Sequence, residues 1–318
     1  MIQILKAMRG YNILKTIIIG AGGGYDIVIA AMLRNRLLKK NNMEIDIGGF
    51  LNPKFIHFFS NDNFLEDIIE EQAVNHSSDI VRFRRLPNAV DFHTEKYQFY
   101  KRNGINKDIV DSRVMKVLDC PVFSFSLRFD MDIIFQFLYD NYDEVIICDV
   151  GGDILFSGIR DNMVKTPIID AYSLAIANRY AKKKKAYVYL LGLGLDGELN
   201  KENIENNLSD LEFNKAILSV ESLTQADVDF LKYFYNQVKF AESGKTNQLL
   251  IDIWESNIDQ NAIALKRNIQ DMKKWFNKIY IIEASKLSLL NPLSILDSYQ
   301  DMFNMLQELG ISCEEYMI

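Results

Sequence analysis

Short apolar runs alternate with longer amphipathic stretches along this chain, and this alternation is the clearest sign of its fold. The apolar runs are typical of strands that are buried on both faces of a parallel sheet. The predicted strands are residues 16–19, 44–48, 144–149, 186–191 and 278–283. The stretches between them have the spacing of helices, which are predicted at residues 26–38, 129–142, 167–181 and 292–309.

Strands that alternate with helices fold into a sheet with helices on both faces. We therefore predict an α/β fold with a three-layer, mostly parallel Rossmann-like sheet. No Pro-, Gly- or Ser-rich linker divides the 318 residues, which predicts a single α/β domain over residues 1–318. Amphipathic patterns over residues 199–277 predict a helical elaboration or cap in the C-terminal half. A helix at 63–72 and a strand at 79–86 are also predicted.

Composition limits the classes of partner. Hydrophobic residues make up 48% of the chain and charged residues 25%, which is ordinary for a globular protein with a sizeable core. The net charge of −7 argues against a broad nucleic-acid-binding face, because phosphate backbones select for Lys and Arg. No apolar run approaches the roughly 20 residues of a membrane span, and no signal-peptide pattern is found, so we expect a cytoplasmic protein.

Three segments run from a predicted strand into a glycine-rich turn that carries acidic residues. The carboxyl ends of parallel strands share one edge of a sheet, where α/β proteins bind their ligands. We therefore predict that residues of all three turns line one pocket. The residues of these turns with a predicted role are Gly20, Gly22, Gly23, Gly24 and Asp26 in the first, Asp149, Gly151, Gly152 and Asp153 in the second, and Gly194, Asp196 and Glu198 in the third.

The first turn, residues 20–24, has the composition of an anion-binding loop. Glycines allow backbone N–H groups to approach a phosphate, and the N-terminus of the following helix adds partial positive charge. The dinucleotide fingerprint requires a final Gly or Ala where this chain has Tyr25, so the match is imperfect. The alternative is a tight turn whose glycines only allow close packing, with Asp26 capping the helix.

The carboxylates of the second and third turns suit two kinds of chemistry. Asp149 and Asp153 are candidate ligands of Mg²⁺ or of ribose hydroxyls. Asp153, Asp196 and Glu198 are candidate general acids and bases. Each of these residues, taken alone, is more often a helix cap or a turn residue.

Other chemistry is weakly represented. His93 is a candidate acid or base, and Arg82 and Arg84 could form an anion clamp on one strand face. The three histidines lack zinc-site spacing, and Cys148 is interpreted as a core residue. The segment 244–246 (Gly-Lys-Thr) lacks the first glycine of an ATP-binding P-loop. No serine or cysteine nucleophile motif is present.

Three motifs resemble those of the domain-of-unknown-function 1152 family. They are the turn at 20–26, the segment Asp-Val-Gly-Gly-Asp-Ile-Leu-Phe-Ser-Gly at 149–158, and Gly-Leu-Gly-Leu-Asp-Gly-Glu-Leu at 192–199. A Ser-Pro-x-x-Asp-like step of that family reads Thr-Pro-Ile-Ile-Asp at 166–170 here, with Thr in place of Ser. The resemblance covers most of the chain and implies no particular reaction. It adds Asp170 to the candidate ligand-binding residues.

Two functions follow as hypotheses. The first is an enzyme, a hydrolase or transferase that acts on a nucleotide-like or phosphorylated metabolite, with Mg²⁺ as the cofactor that the carboxylates suit. The alternative is a non-catalytic sensor that binds a similar small anionic ligand and signals to a partner protein. Neither a nucleic acid nor a membrane is an expected partner, and self-association into a homo-oligomer is left open.

Overall fold

The computed structural model describes the part of the chain that carries the sheet and its main helices. The described residues are 14–22, 24–40, 43–50, 89–91, 101–102, 105–106, 110–118, 120, 122–125, 131–161, 164–238, 245–255 and 274–311. The predicted helix at 63–72 and the predicted strand at 79–86 lie outside these residues, as do Gly23, Arg82, Arg84 and His93.

Strands and helices alternate along the described residues. The strands are β1 (Lys15–Gly20), β2 (Glu44–Phe50), β3 (Ala89–Asp91), β4 (Lys101–Arg102), β5 (Ile105–Asn106), β6 (Val122–Phe125), β7 (Glu144–Val150), β8 (Lys185–Leu191), β9 (Ile217–Ser222) and β10 (Lys278–Glu283). The α-helices are α1 (Asp26–Lys40), α2 (Val110–Leu118), α3 (Met131–Asn141), α4 (Pro167–Ala181), α5 (Lys201–Phe213), α6 (Gln225–Val238), α7 (Lys245–Trp254), α8 (Ala284–Leu287) and α9 (Tyr299–Glu308). None of the described helices is both long enough and apolar enough to cross a membrane.

Eight of these strands form one sheet in the order β3-β6-β2-β1-β7-β8-β10-β9. Strands β6, β2, β1, β7 and β8 are parallel, whereas β3 and β10 run antiparallel to their neighbours. Helices cover both sides of the sheet. The predicted three-layer, mostly parallel α/β fold is confirmed, and all five predicted strands belong to this one sheet.

The strand order places a topological switch point between β1 and β7. From β1 the chain moves outward through β2 to β6, and it then returns to the other side of β1 to form β7 and β8. Crevices form at such points, outside the carboxyl ends of the strands. The register aligns these ends, since Gly20 at the end of β1 lies opposite Gly49 of β2 and Cys148 of β7.

The core lies around the central strands. Ile17, Ile18 and Ile19 of β1 are at most 1% exposed, and every residue of β7 is buried. Continuous burial is expected for parallel strands that are covered by helices on both faces. Cys148 of β7 is part of this core, in agreement with its interpretation as a small apolar residue.

Two parts of the predicted helical pattern differ from the structure. Residues 217–222, within the predicted helical elaboration, form β9, which pairs with β10 at the end of the sheet. Leu218 and Val220 alternate there with polar residues, a strand pattern that the neighbouring helical stretches obscured. The predicted last helix is interrupted, because Pro292–Ile295 forms a 3₁₀ turn and α9 begins only after Ser298, whose side chain accepts the N–H of Asp301.

Candidate functional site

The first glycine-rich turn wraps around the side chain of Asp26. The N–H of Gly22 donates to Asp26 Oδ2 at 2.6 Å. Gly20 permits this tight return of the chain, since a Cβ there would lie 2.5 Å from the backbone nitrogen of Ile27. Asp26 is the first residue of α1, where the helix dipole favours a carboxylate.

The second turn holds Asp149 in a similar way. Its carboxylate lies near the end of β7, where the backbone N–H groups of Gly152 and Ile154 oppose the rise of its pKa. Gly151 and Gly152 have φ values of 127° and 119°, in the region that favours glycine, so only glycine turns the chain here without strain. Asp153 follows and opens a short 3₁₀ helix.

The third turn packs directly against the second. The N–H of Gly194 donates to the carbonyl of Gly151 at 2.5 Å. Asp196 lies so close to Gly151 that a Cβ on that glycine would collide with its carboxylate. The N–H of Glu198 donates to Asp196 Oδ1 at 2.8 Å and thereby orients this side chain. The two turns therefore bring their carboxylates to the same place.

Three carboxylates from separate segments converge at the switch point. Asp26, Asp149 and Asp170 each offer an oxygen atom, and these atoms lie within 4.8 Å of one another. Asp170 comes from the first turn of α4, and the absence of a side chain on Gly22 leaves room for its carboxylate. The three residues are 8%, 3% and 2% exposed. We call Asp26, Asp149 and Asp170 the buried triad.

A second group of carboxylates adjoins the buried triad. Asp153 and Asp196 are neighbours there, and after burial the charge of Asp196 is the main cause that raises the pKa of Asp153. Thr166 Oγ1 donates to Asp153 Oδ2 at 3.1 Å. Glu198 Oε2 accepts the backbone N–H of Lys165 at 2.5 Å.

Burial and mutual repulsion raise the pKa values in this region. Burial raises the pKa of Asp26 to about 7, and the charge of Asp196 adds to this effect, although the N–H groups of Gly22 and Val150 oppose it. Burial also raises the pKa of Asp149 and of Asp153 well above the usual range, and neighbouring carboxylates raise both further. The pKa of Glu198 is raised by burial as well. Such shifts are common where chemistry takes place.

The buried triad has the donor type and spacing of a site for a hard divalent cation. Mg²⁺ and Ca²⁺ bind oxygen ligands at roughly 2.0–2.6 Å, so two ligands of one ion lie at most about 5 Å apart. Asp149 Oδ2 is buried and has no hydrogen-bond donor among the described residues. A cation would provide the partner that this oxygen lacks.

The structure brings most of the predicted site residues to one edge of the sheet. Asp153 and Asp196, which would lie apart if the three-turn hypothesis failed, are in direct contact. The predicted metal ligands are only partly grouped together, because Asp149 clusters with Asp26 and Asp170 and not with Asp153. Gly24 lies beside the first turn in open space, whereas Gly23 lies outside the described residues.

Two residues of this region were missed by the sequence analysis. Asp111 on α2 is 4% exposed, accepts the hydroxyl of Ser124 at 2.6 Å and has its pKa raised by burial to about 6. Its Oδ1 would lie 3.2 Å from a Cβ on Gly49, so this glycine makes room for it. The Gly48–Gly49 pair near the end of β2 was the available signal in the sequence. No motif around Asp111 itself indicated that its side chain would be buried beside this pair.

The other missed residue is Asn247 on α7. Its side-chain amide donates to the backbone carbonyl of Tyr25 at 2.9 Å, next to Asp26. The rings of Tyr25 and Tyr235 also meet edge to face, with 5.7 Å between their centroids. Helices α6 and α7 are therefore in contact with the first turn.

A comparison with models of protein families finds a match. Residues 77–251 match the model of a family that is described as "Protein of unknown function (DUF1152)". The match is longer than half of the chain and includes the second and third turns and Asp170, whereas the first turn precedes it. A search of curated proteins finds no match.

Proposed function

The chain belongs to the protein-of-unknown-function family DUF1152, and because this membership assigns no reaction, we propose from the geometry of the site that the protein is a Mg²⁺-dependent enzyme. The proposed reaction is a hydrolysis or group transfer on a nucleotide-like or phosphorylated small metabolite. The cation would be held by the buried triad. The expected compartment is the cytoplasm.

The observation that carries this proposal is the convergence of three buried carboxylate oxygens from three separate segments. Buried carboxylates that face one another destabilise a fold unless protons or a cation offset their charge. Natural proteins retain such costly arrangements mainly where function requires them. The position at the switch point of the sheet supports the same conclusion, since small ligands of α/β proteins bind there.

The adjoining carboxyl pair supports a role in proton transfer. Burial and the neighbouring charge of Asp196 raise the pKa of Asp153, so Asp153 can donate a proton while Asp196 accepts one. The hydroxyl of Thr166 holds Asp153, and the N–H of Glu198 holds Asp196. In this proposal the pair activates a water or a hydroxyl group, and Glu198 assists from the rim.

The first experiment measures binding of MgCl₂ to the purified protein by calorimetry. A thermal-shift screen of nucleotides and sugar phosphates, with and without Mg²⁺, then identifies ligands, and product analysis detects turnover. We expect Asp153→Asn and Asp196→Asn to abolish turnover while the fold is kept. Asp229→Asn, on the exposed side of α6, serves as the control. Failure of Mg²⁺ and Mn²⁺ to bind at millimolar concentrations would exclude the proposed metal site.

A sensor remains the second candidate, and the contacts of the first turn with α6 and α7 favour it. Asn247 and Tyr235 connect the backbone beside Asp26 to these two helices. A change in the conformation of the turn on ligand binding would therefore shift α6 and α7, whose surface a partner protein could recognise. Stabilisation by a ligand without turnover, with Asp153→Asn and Asp196→Asn changing only the affinity, would identify a sensor.

A further inference from the structure

Several backbone N–H groups of the three glycine-rich turns donate to the protein's own oxygen atoms. Two of them hold carboxylates of the site: that of Gly22 holds Asp26 at 2.6 Å, and that of Glu198 holds Asp196 at 2.8 Å. Others donate to backbone carbonyls, including Ala21 N–H to Cys148, Gly151 N–H to Leu191 and Gly194 N–H to Gly151, at 2.8, 3.1 and 2.5 Å.

This arrangement differs from that of a phosphate-binding loop. In such a loop, successive N–H groups of the turn and of the helix N-terminus are aimed at the anion. Here the turn at β1 directs the N–H of Gly22 to Asp26, so a carboxylate of the protein takes the place of the phosphate. Gly22 therefore positions a carboxylate of the protein where a phosphate-binding loop would hold the anion.

The charge of the site leads to the same conclusion. A phosphate brought to the turns would meet the carboxylates of the buried triad, whose oxygen atoms already lie within 4.8 Å of one another. Like charges at this separation repel, and the low exposure of the site weakens screening by solvent. Asp149, 3% exposed, directs an oxygen without a donor into this cluster. The local environment favours a cation and disfavours a free anion.

We propose that the substrate's phosphate group binds as a ligand of the cation in the buried triad and not to the glycine-rich turns. This inference rests on the proposed function, because it requires the cation. Binding is then ordered, with the cation first and the phosphorylated compound second. Three carboxylates leave about three positions of an octahedral Mg²⁺ for water and substrate. A diphosphate or triphosphate group, which can supply two oxygens to one ion, fits these positions better than a monophosphate.

The test uses inorganic pyrophosphate and inorganic phosphate as probes of the full-length protein. Their binding is measured by calorimetry in EDTA and in saturating MgCl₂, with corrections for the magnesium complexes that form in solution. We expect pyrophosphate to bind at least about tenfold more tightly with Mg²⁺, which is within the usual range of coupling between two ligands. Phosphate should bind more weakly than pyrophosphate under both conditions.

Variants separate the two modes of binding. Gly22→Ala places a Cβ 2.6 Å from Asp26 Oδ2 and 3.4 Å from Asp170, so it should weaken Mg²⁺ binding and, through it, pyrophosphate binding. Asp149→Asn removes a proposed cation ligand without adding bulk and should have the same effect if Gly22→Ala does not fold. Asp229→Asn is the matched control for loss of an exposed carboxylate.

The outcomes distinguish this inference from the proposed function. If Mg²⁺ itself does not bind, the metal-dependent enzyme and this inference fail together. If Mg²⁺ binds but pyrophosphate binds equally well in EDTA, the inference alone fails and the turns do bind an anion. If Mg²⁺ binds and pyrophosphate does not bind in its presence, the inference also fails and the cation serves another class of ligand.

Discussion

Helix α1 carries a buried ionisable side chain toward each of its ends, and the neighbours of these two side chains carry charges of different sign relative to them. At its N-terminus, Asp26 faces the carboxylates of Asp149 and Asp170. Toward its C-terminus, Arg36 lies between two acidic residues and forms ion pairs with Glu221, at 2.5 Å, and with Asp227. Asp227 is as well buried as the triad, at 5% exposure. Arg36 neutralises acidic residues in one region, whereas acidic residues face one another in the other.

From this difference we infer that the Arg36 region serves stability, in line with the proposal that the buried triad serves function. The Arg36 region connects α1 to β9 and α6, and its buried carboxylate also accepts the N–H and the hydroxyl of Thr224. The buried triad connects three segments that would be more stable with neutral side chains. Residues that destabilise a fold without a compensating partner are expected at binding and catalytic sites.

The largest effect is expected from Arg36→Met, which leaves the buried Asp227 without its positive partner. Loss of one member of a buried ion pair costs about 3–5 kcal/mol of unfolding free energy. Urea denaturation monitored by circular dichroism measures the loss. Asp227→Asn added to this variant should restore part of the stability, because the uncompensated charge is then removed. A loss below about 1 kcal/mol would contradict the contrast between the two regions.

The next effect concerns Asp111, a buried carboxylate whose partner is the hydroxyl of Ser124. Burial raises its pKa from 3.8 to about 6, so the folded state holds this proton more tightly than the unfolded chain does. The tighter binding of this proton stabilises the folded state fully below pH 3.8, and this stabilisation is lost as the pH rises to about 6. A shift of about two pKa units corresponds to about 3 kcal/mol.

Asp111→Asn removes this titration while keeping an acceptor for Ser124. The unfolding free energy of the variant, relative to the unmodified protein, should rise by up to about 3 kcal/mol between about pH 4 and about pH 7. Denaturation curves of both proteins at a series of pH values measure the difference. A difference that does not change with pH would show that Asp111 titrates normally in the folded state.

A smaller change in unfolding free energy, opposite in sign to that of Arg36→Met, is expected from Asp149→Asn in the buried triad. In EDTA the variant should be more stable than the unmodified protein by about 1–2 kcal/mol, because repulsion between buried carboxylates is relieved. In MgCl₂ the unmodified protein should gain stability and the variant should not. Thermal unfolding under the two conditions tests both statements. Destabilisation of the variant in EDTA would mean that the Asp149 charge supports the fold.

The smallest loss of unfolding free energy is expected from Arg179→Met. Arg179 also lies between two acidic residues, Asp132 at 2.5 Å and Asp297, but the side chains of these partners are 76% and 83% exposed. Ion pairs in water contribute about 1 kcal/mol or less. The same denaturation assay as for Arg36→Met makes this variant its matched control. A loss comparable to that of Arg36→Met would show that burial does not explain the importance of Arg36.

Much of the fold was predictable because its signals are local. Strand β1 was recognisable from its unbroken Ile17-Ile18-Ile19 run, and the start of α1 was recognisable from the glycines and Asp26. Strand β9 was missed because its alternation of Leu218 and Val220 is short and the side chains on both faces are largely exposed. An edge strand contributes little apolar burial, so its sequence carries a weaker pattern.

The candidate site was predictable as a set of residues but not as a geometry. Asp26, Asp149, Asp153, Asp170 and Asp196 were all candidates before the structure was considered. Their division into a buried triad and a carboxyl pair was not predictable, and neither was the hydrogen bond from the Gly22 N–H to Asp26. These features depend on the crossing of the chain between β1 and β7 and on the contact between Gly151 and Asp196.

The sequence by itself determined most of the segments that form the central strands and their helices, and the turns that require glycine. These properties depend on side-chain periodicity and on backbone freedom within a few residues. It also determined that acidic residues follow three of the strands. Only the tertiary structure decided which carboxylates face one another and which acid is neutralised by Arg36. Those partners are separated by more than a hundred residues in several cases, as with Asp26 and Asp149 or Arg36 and Asp227, and long-range packing of the sheet and helices brings them together.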